Sequence, residues 1–364
     1  MKILFITPHF PPSLGGVENY VFNIALELKQ VHNHEVVVVT SNASGRKQDI
    51  EDYYGIKVYR LPILIQYSNT PINPLWYLSL KRIIREEKPD IINSHQPVMF
   101  IGDMGALLSG TIPFVLTYHA GTMKKNKLPI DIIIYLYEKY VLPHTAKKAT
   151  KIICASHFVR DTILKKYKYK STVIPPGVNA SLFKPNPEVK REENLILFVV
   201  GHKKLHKLKG LYYLIDSIKE LPEIKLRIVG EKADFTDKRL ISVGIKRGKD
   251  LVEEMQKAQV LVLPSLIQME GFPTVLVEAM ACQTPVIGTN IGGIPDTIRD
   301  GVDGFIVPID DSNTLAIAIL KILRDKELAT RMGQSGETKV REALTWDILA
   351  NSTKEVYEAC LRKQ

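Results

Sequence analysis

Long hydrophobic runs are missing from this sequence. Runs such as Ile132–Tyr137 and Val260–Leu263 fall far short of the roughly 18–20 apolar residues a membrane-spanning helix needs. The opening Met1-Lys2-Ile3-Leu4-Phe5-Ile6-Thr7-Pro8 meets a proline before a signal-peptide core can form. Cysteine is scarce as well: Cys154, Cys282 and Cys360 are three, odd in number and far apart. They suit neither a disulfide framework nor a zinc site, and a cytoplasmic setting is expected. No Asp-x-Asp pair stands at a strand end, and no His, Cys and carboxylate cluster has metal-ligand spacing, so no metal site is expected. No period of solenoid length repeats.

What is present is the mix of a globular chain. Of 364 residues, 45% are apolar and 24% charged, and the length suits two domains. Lys and Arg number 49 against 39 Asp and Glu, a formal net charge of +10. Such a surplus suggests an anionic partner: nucleic acid, acidic membrane or phosphorylated ligand. Its location is narrow. Residues 1–123 balance at 10 against 10, whereas residues 124–170 hold 12 basic and 3 acidic side chains.

Short β-branched runs alternate with amphipathic stretches, which predicts a parallel α/β fold. Strands are expected at 2–7, 35–40, 56–61, 90–94, 114–118 and 151–155. Helices are expected over 17–28 and 75–87, and a polar loop over 43–54. Pro175-Pro176-Gly177 then punctuates the chain, with Pro185 and Pro187 close behind. The alternation restarts with strands at 195–200, 225–229, 239–243, 260–263, 285–288 and 304–307. Helices are expected over 208–221, 249–258 and 273–282, and from 312 onward. Two Rossmann-like domains facing across a cleft are expected, with chemistry on loops after the strands.

The most informative loop is Pro264-Ser265-Leu266-Ile267-Gln268-Met269-Glu270-Gly271-Phe272-Pro273. It joins a strand to a helix, whose N-terminal N–H groups and positive dipole end make an anion site. Glu278 falls about one and a half turns inside that helix, among Val277, Ala279 and Met280. It either faces solvent or needs hydrogen bonds to offset burial.

The spacing Glu270-x7-Glu278, with its flanks, resembles the signature of retaining GT-B glycosyltransferases, and the surrounding residues are similar to family 4. The likeness continues through Thr284–Gly288, Ile291–Asp296 and Asp300–Val307. Pro11-Pro12-Ser13-Leu14-Gly15-Gly16-Val17-Glu18 resembles the family's opening loop, and Pro176–Asn179 its hinge. The resemblance thus covers nearly the whole chain. It implies an acceptor-side domain of residues 1–176 plus 346–364, including a returning C-terminal helix, and a donor-binding domain of residues 177–345. Glu278 would bind the ribose hydroxyls of a nucleotide sugar, a UDP- or GDP-sugar. Glu270 would touch the transferred sugar. Backbone groups of Gly271, Phe272, Thr274 and Val275 would cradle the distal phosphate and sugar. Lys209-Gly210 matches the family's Lys-Gly, and Lys209 would face the leaving diphosphate. His202 stands where the family has arginine, so Lys203 or Lys204 is expected to substitute. His119 matches the histidine facing the donor sugar; His95 and His9 are lesser candidates. Gly15 and Gly16 would let backbone approach the diphosphate or acceptor.

The implied function is metal-independent, cofactor-free hexosyl transfer with retention, by front-side attack, to a lipid, lipid-linked or glycan acceptor. The short span 232–238 predicts that a helix common in the family is absent there, and 244–248 is expected beside the nucleotide base. A GT-B epimerase and a non-catalytic basic protein are the competing readings; tyrosines interleave the basic stretch, yet no nucleic-acid motif accompanies them. Residues 124–170 combine Lys124-Lys125-Asn126-Lys127, an apolar helix over 130–142, and later lysines. That pattern suits peripheral docking on an anionic inner membrane face.

Overall fold

The structure is a computed structural model and describes residues 1–13, 15–42, 45, 47–67, 70–123, 128 and 130–362. It divides into two compact units, Met1–Pro176 with Trp346–Gln364, and Gly177–Thr345. Leu14 and Lys124–Lys127, which carry part of the opening-loop and basic-stretch expectations, lie outside the described residues.

The first unit runs β1 (Lys2–Ile6), α1 (Gly16–Gln30), β2 (Glu35–Asn42), β3 (Asp49–Tyr53), β4 (Ile56–Pro62), β5 (Ile65–Tyr67), β6 (Thr70–Ile72), α2 (Trp76–Glu87), β7 (Ile91–Gln96), α3 (Ile101–Leu108), β8 (Phe114–Tyr118), α4 (Ile130–Leu136), α5 (Leu142–Lys148), β9 (Lys151–Cys154) and β10 (Ser171–Val173). Eight strands form one sheet in the order β10-β9-β8-β7-β1-β2-β4-β3, and β5 and β6 pair as a hairpin. The sheet is parallel except for β3, which lies antiparallel to β4. This strand corrects the expected loop over 43–54. An edge strand needs no apolar face to bury, so its polar sequence gave no strand signal. The central strands are β-branched runs buried on both faces, as a parallel sheet requires.

Helix α1 buries Tyr20, Val21, Ile24, Ala25 and Leu28, its helical-period stripe, against one face. The C-terminal helix Trp346–Leu361 joins the same core through Leu349, Ala350 and Tyr357. Tyr357 Oη donates a buried hydrogen bond of 2.6 Å to Asn93 Oδ1 on β7. Helices α2, α3 and α5 pack on the opposite face. The helix expected over 130–142 is interrupted by a π-helical turn, Tyr137–Val141, in which the Leu142 N–H bonds back to Tyr137 O. Pro143 follows directly in α5; it lacks an N–H, and its ring crowds the preceding turn of an α-helix.

The second unit runs β11 (Leu195–Val199), α6 (Leu211–Ser217), β12 (Lys225–Val229), β13 (Leu240–Gly244), α7 (Gly248–Lys257), β14 (Val260–Leu263), α8 (Thr274–Ala281), β15 (Val286–Thr289), α9 (Ile294–Thr297), β16 (Gly304–Val307), α10 (Ser312–Arg324) and α11 (Lys326–Ala343). Its six strands are ordered β13-β12-β11-β14-β15-β16 and all pair in parallel. Residues 232–238 contain no helix. Helix α6 starts later than the expected 208–221 because Gly210 is its left-handed N-cap, and it ends earlier, at Ser217.

Strand order reverses between β1 and β7 in one unit and between β11 and β14 in the other. Such reversals leave a crevice at the carboxyl ends of the strands. His95 belongs to β7, and the loops after β11 and β14 carry Lys209 and Glu270. Among the described residues, no helix is long and apolar enough to cross a membrane.

Candidate active site

The second unit assembles its charged residues from two loops. The loop after β11 is held against the loop after β14 by the Leu266 N–H, which donates to Leu208 O at 3.0 Å. Gly210 makes the approach possible. Its φ is +82°, and a Cβ there would lie 1.9 Å from Pro264 O. With the loops in contact, Lys209 Nζ forms an ion pair with Glu270 Oε1. Ser265 Oγ donates to the same oxygen at 2.8 Å. Glu270 is fixed from behind as well, since its carbonyl accepts the Gly293 N–H at 2.7 Å. Gly292, at φ +57°, leaves room for that carbonyl, which a Cβ would meet at 2.6 Å. Lys209, Gly210, Glu270 and Gly292-Gly293 therefore form one constellation.

Helix α8 begins at Thr274 with Pro273 as its N-cap rather than its first residue. The N–H groups of Thr274 and Val275 open the helix, where no carbonyl of a preceding turn reaches them. Gly271 and Phe272 lie immediately before, with Phe272 partly packed on the core. Glu278 is partly exposed, and no group among the described residues hydrogen-bonds it. Burial pushes its carboxyl up to about 7. Neither simple expectation for this residue holds: it is not on a fully solvated face, and it is not satisfied by the protein.

Lys203 and Lys204 occupy an exposed 3₁₀ turn, Lys203–Leu205. His202 contacts Glu231, Nδ1 to Oε1 at 3.1 Å, and Glu231 Oε2 accepts the Lys203 N–H at 2.7 Å. Sequence reasoning missed this glutamate, although Gly230-Glu231 directly follows β12. It also missed His206, which is buried with neither ring nitrogen hydrogen-bonded among the described residues. Burial and the neighbouring Lys203 lower its pKa.

In the first unit, His119 follows β8 and meets His95. Nδ1 of His95 and Nε2 of His119 are 3.0 Å apart. The rings are stacked with centroids 5.3 Å apart. Tyr20 of α1 packs edge-on against His119 at 4.6 Å and against Trp346 at 5.9 Å. Burial holds both imidazoles neutral: His95 falls well below its usual value and His119 falls to about 3. His95 is thus a direct partner of His119. Gly15 is the extended N-cap of α1, and Gly16 is its first residue. A Cβ on Gly16 would meet nothing within 4 Å, so the internal packing does not demand a glycine there. Among the described residues, no group of three His, Cys, Asp or Glu is arranged to hold a metal ion.

Two family models match the chain: Glycosyltransferase Family 4 over residues 14–182 and Glycosyl transferases group 1 over residues 181–339. An uncharacterized glycosyltransferase of Methanocaldococcus jannaschii is 27% identical over 98% of both chains. A phosphatidyl-myo-inositol mannosyltransferase of Mycolicibacterium smegmatis is 26% identical over 98% of this chain and 94% of that one. Sucrose-phosphate synthase from Thermosynechococcus elongatus shares the fold with a TM-score of 0.82, 21% identity and 100% coverage of both chains. Anabaena HepE, solved with UDP-glucose, does so with a TM-score of 0.74 and 17% identity, over 99% of this chain and 100% of that one.

Proposed function

The chain belongs to glycosyltransferase family 4, enzymes of GT-B fold, and from that footing we propose a retaining, metal-independent transfer of a hexose from a UDP- or GDP-sugar to a lipid, lipid-linked or glycan acceptor. The observation that carries this reading is the Lys209–Glu270 ion pair beside the start of α8, with Glu278 unpartnered one turn further on. Glu278 accepts two ribose hydroxyls, a match for a carboxylate with two free oxygens. Glu270 accepts hydroxyls of the transferred sugar. Lys209, with Lys203 or Lys204, and the N–H groups of Thr274 and Val275 face the diphosphate. Departure of that group builds negative charge, and fixed cations and a helix end lower the barrier. His119 hydrogen-bonds the sugar. Attack by the acceptor on the face the diphosphate leaves preserves the anomeric configuration.

Two relatives support the donor and acceptor classes. HepE binds UDP-glucose, and the mycobacterial relative is named for mannosyl transfer to phosphatidyl-myo-inositol. The basic stretch 124–170 supports peripheral docking on an anionic inner membrane surface. Its residues Ile132, Ile133, Tyr135 and Tyr140 are exposed, and about 1 kcal/mol per nearby lysine favours binding. A thermal-shift panel of UDP, GDP and ADP sugars tests the donor site: stabilisation by a UDP- or GDP-sugar is expected, and none by any of them would remove the reading. NMR of the product's anomeric proton tests retention, and an inverted product refutes it. Failure to bind anionic vesicles at low salt refutes the docking.

A further inference from the structure

In the first unit, a groove of about 570 Å³ runs between α3 and the α4–α5 segment. Its walls are two facing stripes. Phe100, the N-cap of α3, stands with Met104 and Leu107 of that helix on one side, and Ile133 and Leu136 of α4 with Val141 of the π turn on the other. The one carboxylate in the wall is removed from the cavity's chemistry. Asp103 accepts Gln96 Nε2 at 2.7 Å, the Phe100 N–H at 3.0 Å, Tyr137 Oη at 3.1 Å and Thr145 Oγ1 at 2.6 Å. Four donors satisfy its acceptor capacity and leave the walls apolar. Leu107 and Tyr140 are nonetheless each 62% exposed, so the groove is open.

Two further observations define what fits. A cation stands at the rim: Lys139 Nζ lies 5.3 Å from the centre of the Tyr140 ring, and His144 also lines the groove. Asp103 in the wall is tied to the end of β7 through Gln96, whose carbonyl accepts the backbone N–H of His119, the residue after β8, at 2.9 Å. We propose that this groove binds one hydrocarbon chain of an anionic acceptor lipid, with the head group toward the end of β8. The proposal rests on the lipid-acceptor reading given above. An apolar trench with a cationic rim complements an anionic amphiphile, and its size falls within the usual range for ligand pockets, about 300–1,000 Å³.

The probe is a series of n-alkyl phosphates from hexyl to dodecyl, below their micelle concentrations, titrated calorimetrically into the full chain without donor. Affinity should rise about fourfold per methylene, the transfer free energy of a buried CH₂, until the groove is full. Leu107→Trp at the open rim and Met104→Trp deeper inside should each abolish the chain-length dependence. Ile317→Ser, on the exposed face of α10 in the second unit, should keep it. A flat series in the unmodified protein, or an unchanged series in a folded Leu107→Trp variant, overturns the proposal. So does a chain-dependent heat that sedimentation traces to dimerisation. A flat series alongside intact nucleotide-sugar stabilisation removes the groove alone. A rising series with no nucleotide-sugar stabilisation removes the transferase reading of the donor site alone.

Discussion

His95 Nδ1 and His119 Nε2 lie 3.0 Å apart, so one of the two nitrogens carries the proton they share. Nε2 of His95 is buried with no partner among the described residues. A bare lone pair there costs less than an unpaired N–H, which favours His95 as the Nδ1 donor. His119 then keeps its own proton on Nδ1, ready to donate. Nitrogen-15 spectra of the imidazoles should show the Nδ1–H tautomer for His119, and His95→Phe should shift it toward the mixture of a free histidine.

The same pair makes the fold acid-sensitive. Burial holds both pKa values below a histidine's ordinary 6.5 in the folded state, while the unfolded chain protonates near 6.5. The unfolded state therefore binds more protons as pH falls below about 6.5, and stability is lost from there downward. Urea midpoints should drop between pH 7 and pH 5, and His95→Phe should flatten part of that slope.

Glu278 has the opposite sign. Its carboxyl is raised from 4.5 to about 7, so a large fraction is protonated at pH 7. Accepting two hydroxyls requires the ionised form. Nucleotide-sugar affinity should increase from pH 6 to pH 8, with proton release on binding that calorimetry in buffers of different ionisation enthalpy detects. Glu278→Gln should bind at least tenfold more weakly, and the pH step should vanish.

Lys209→Met should reduce kcat by about 10²–10³, the usual cost of removing one fixed group that faces developing charge. KM for the donor should change far less. Lys203→Ala and Lys204→Ala, measured alongside, identify which exposed lysine shares the diphosphate.

Gly210→Ala tests the loop junction. A Cβ at 1.9 Å from Pro264 O, on backbone at φ +82°, should destabilise the second unit by about 2 kcal/mol or more. It should also uncouple Lys209 from Glu270, so activity should fall with the urea midpoint. Retained activity would show that the ion pair does not depend on this junction.

Much of the fold was legible because its strands are apolar runs bounded by turn residues. Phe114–Tyr118, Lys225–Val229, Val260–Leu263 and Gly304–Val307 are read to the residue. The edge strand Asp49–Tyr53 was not, because its pairing is carried by backbone and not by side-chain pattern. In the site, Glu270, Glu278 and Lys209-Gly210 declare themselves by spacing. The contacts that orient them do not. Ser265 and Glu231 have ordinary local sequence, and the meeting of His95 with His119 depends on adjacent parallel strands, β7 and β8. The π turn at Tyr137–Val141 had one signal, Pro143.

The first unit is completed by the last segment of the chain, Trp346–Gln364, with Tyr357 bonded to Asn93 and Trp346 packed on Tyr20. During synthesis, then, order of emergence and order of completion are reversed. The second unit has all of its residues once Thr345 is made, whereas the first waits for the final helix although its strands were made first. At about 5–20 residues per second, β1 to β10 remain without their closing helix for roughly ten seconds or more after Pro176 is added. The wait ends only once Trp346–Leu361 has been made, so a premature stop just after Thr345 leaves the first unit without its closing helix while every residue of the second is present.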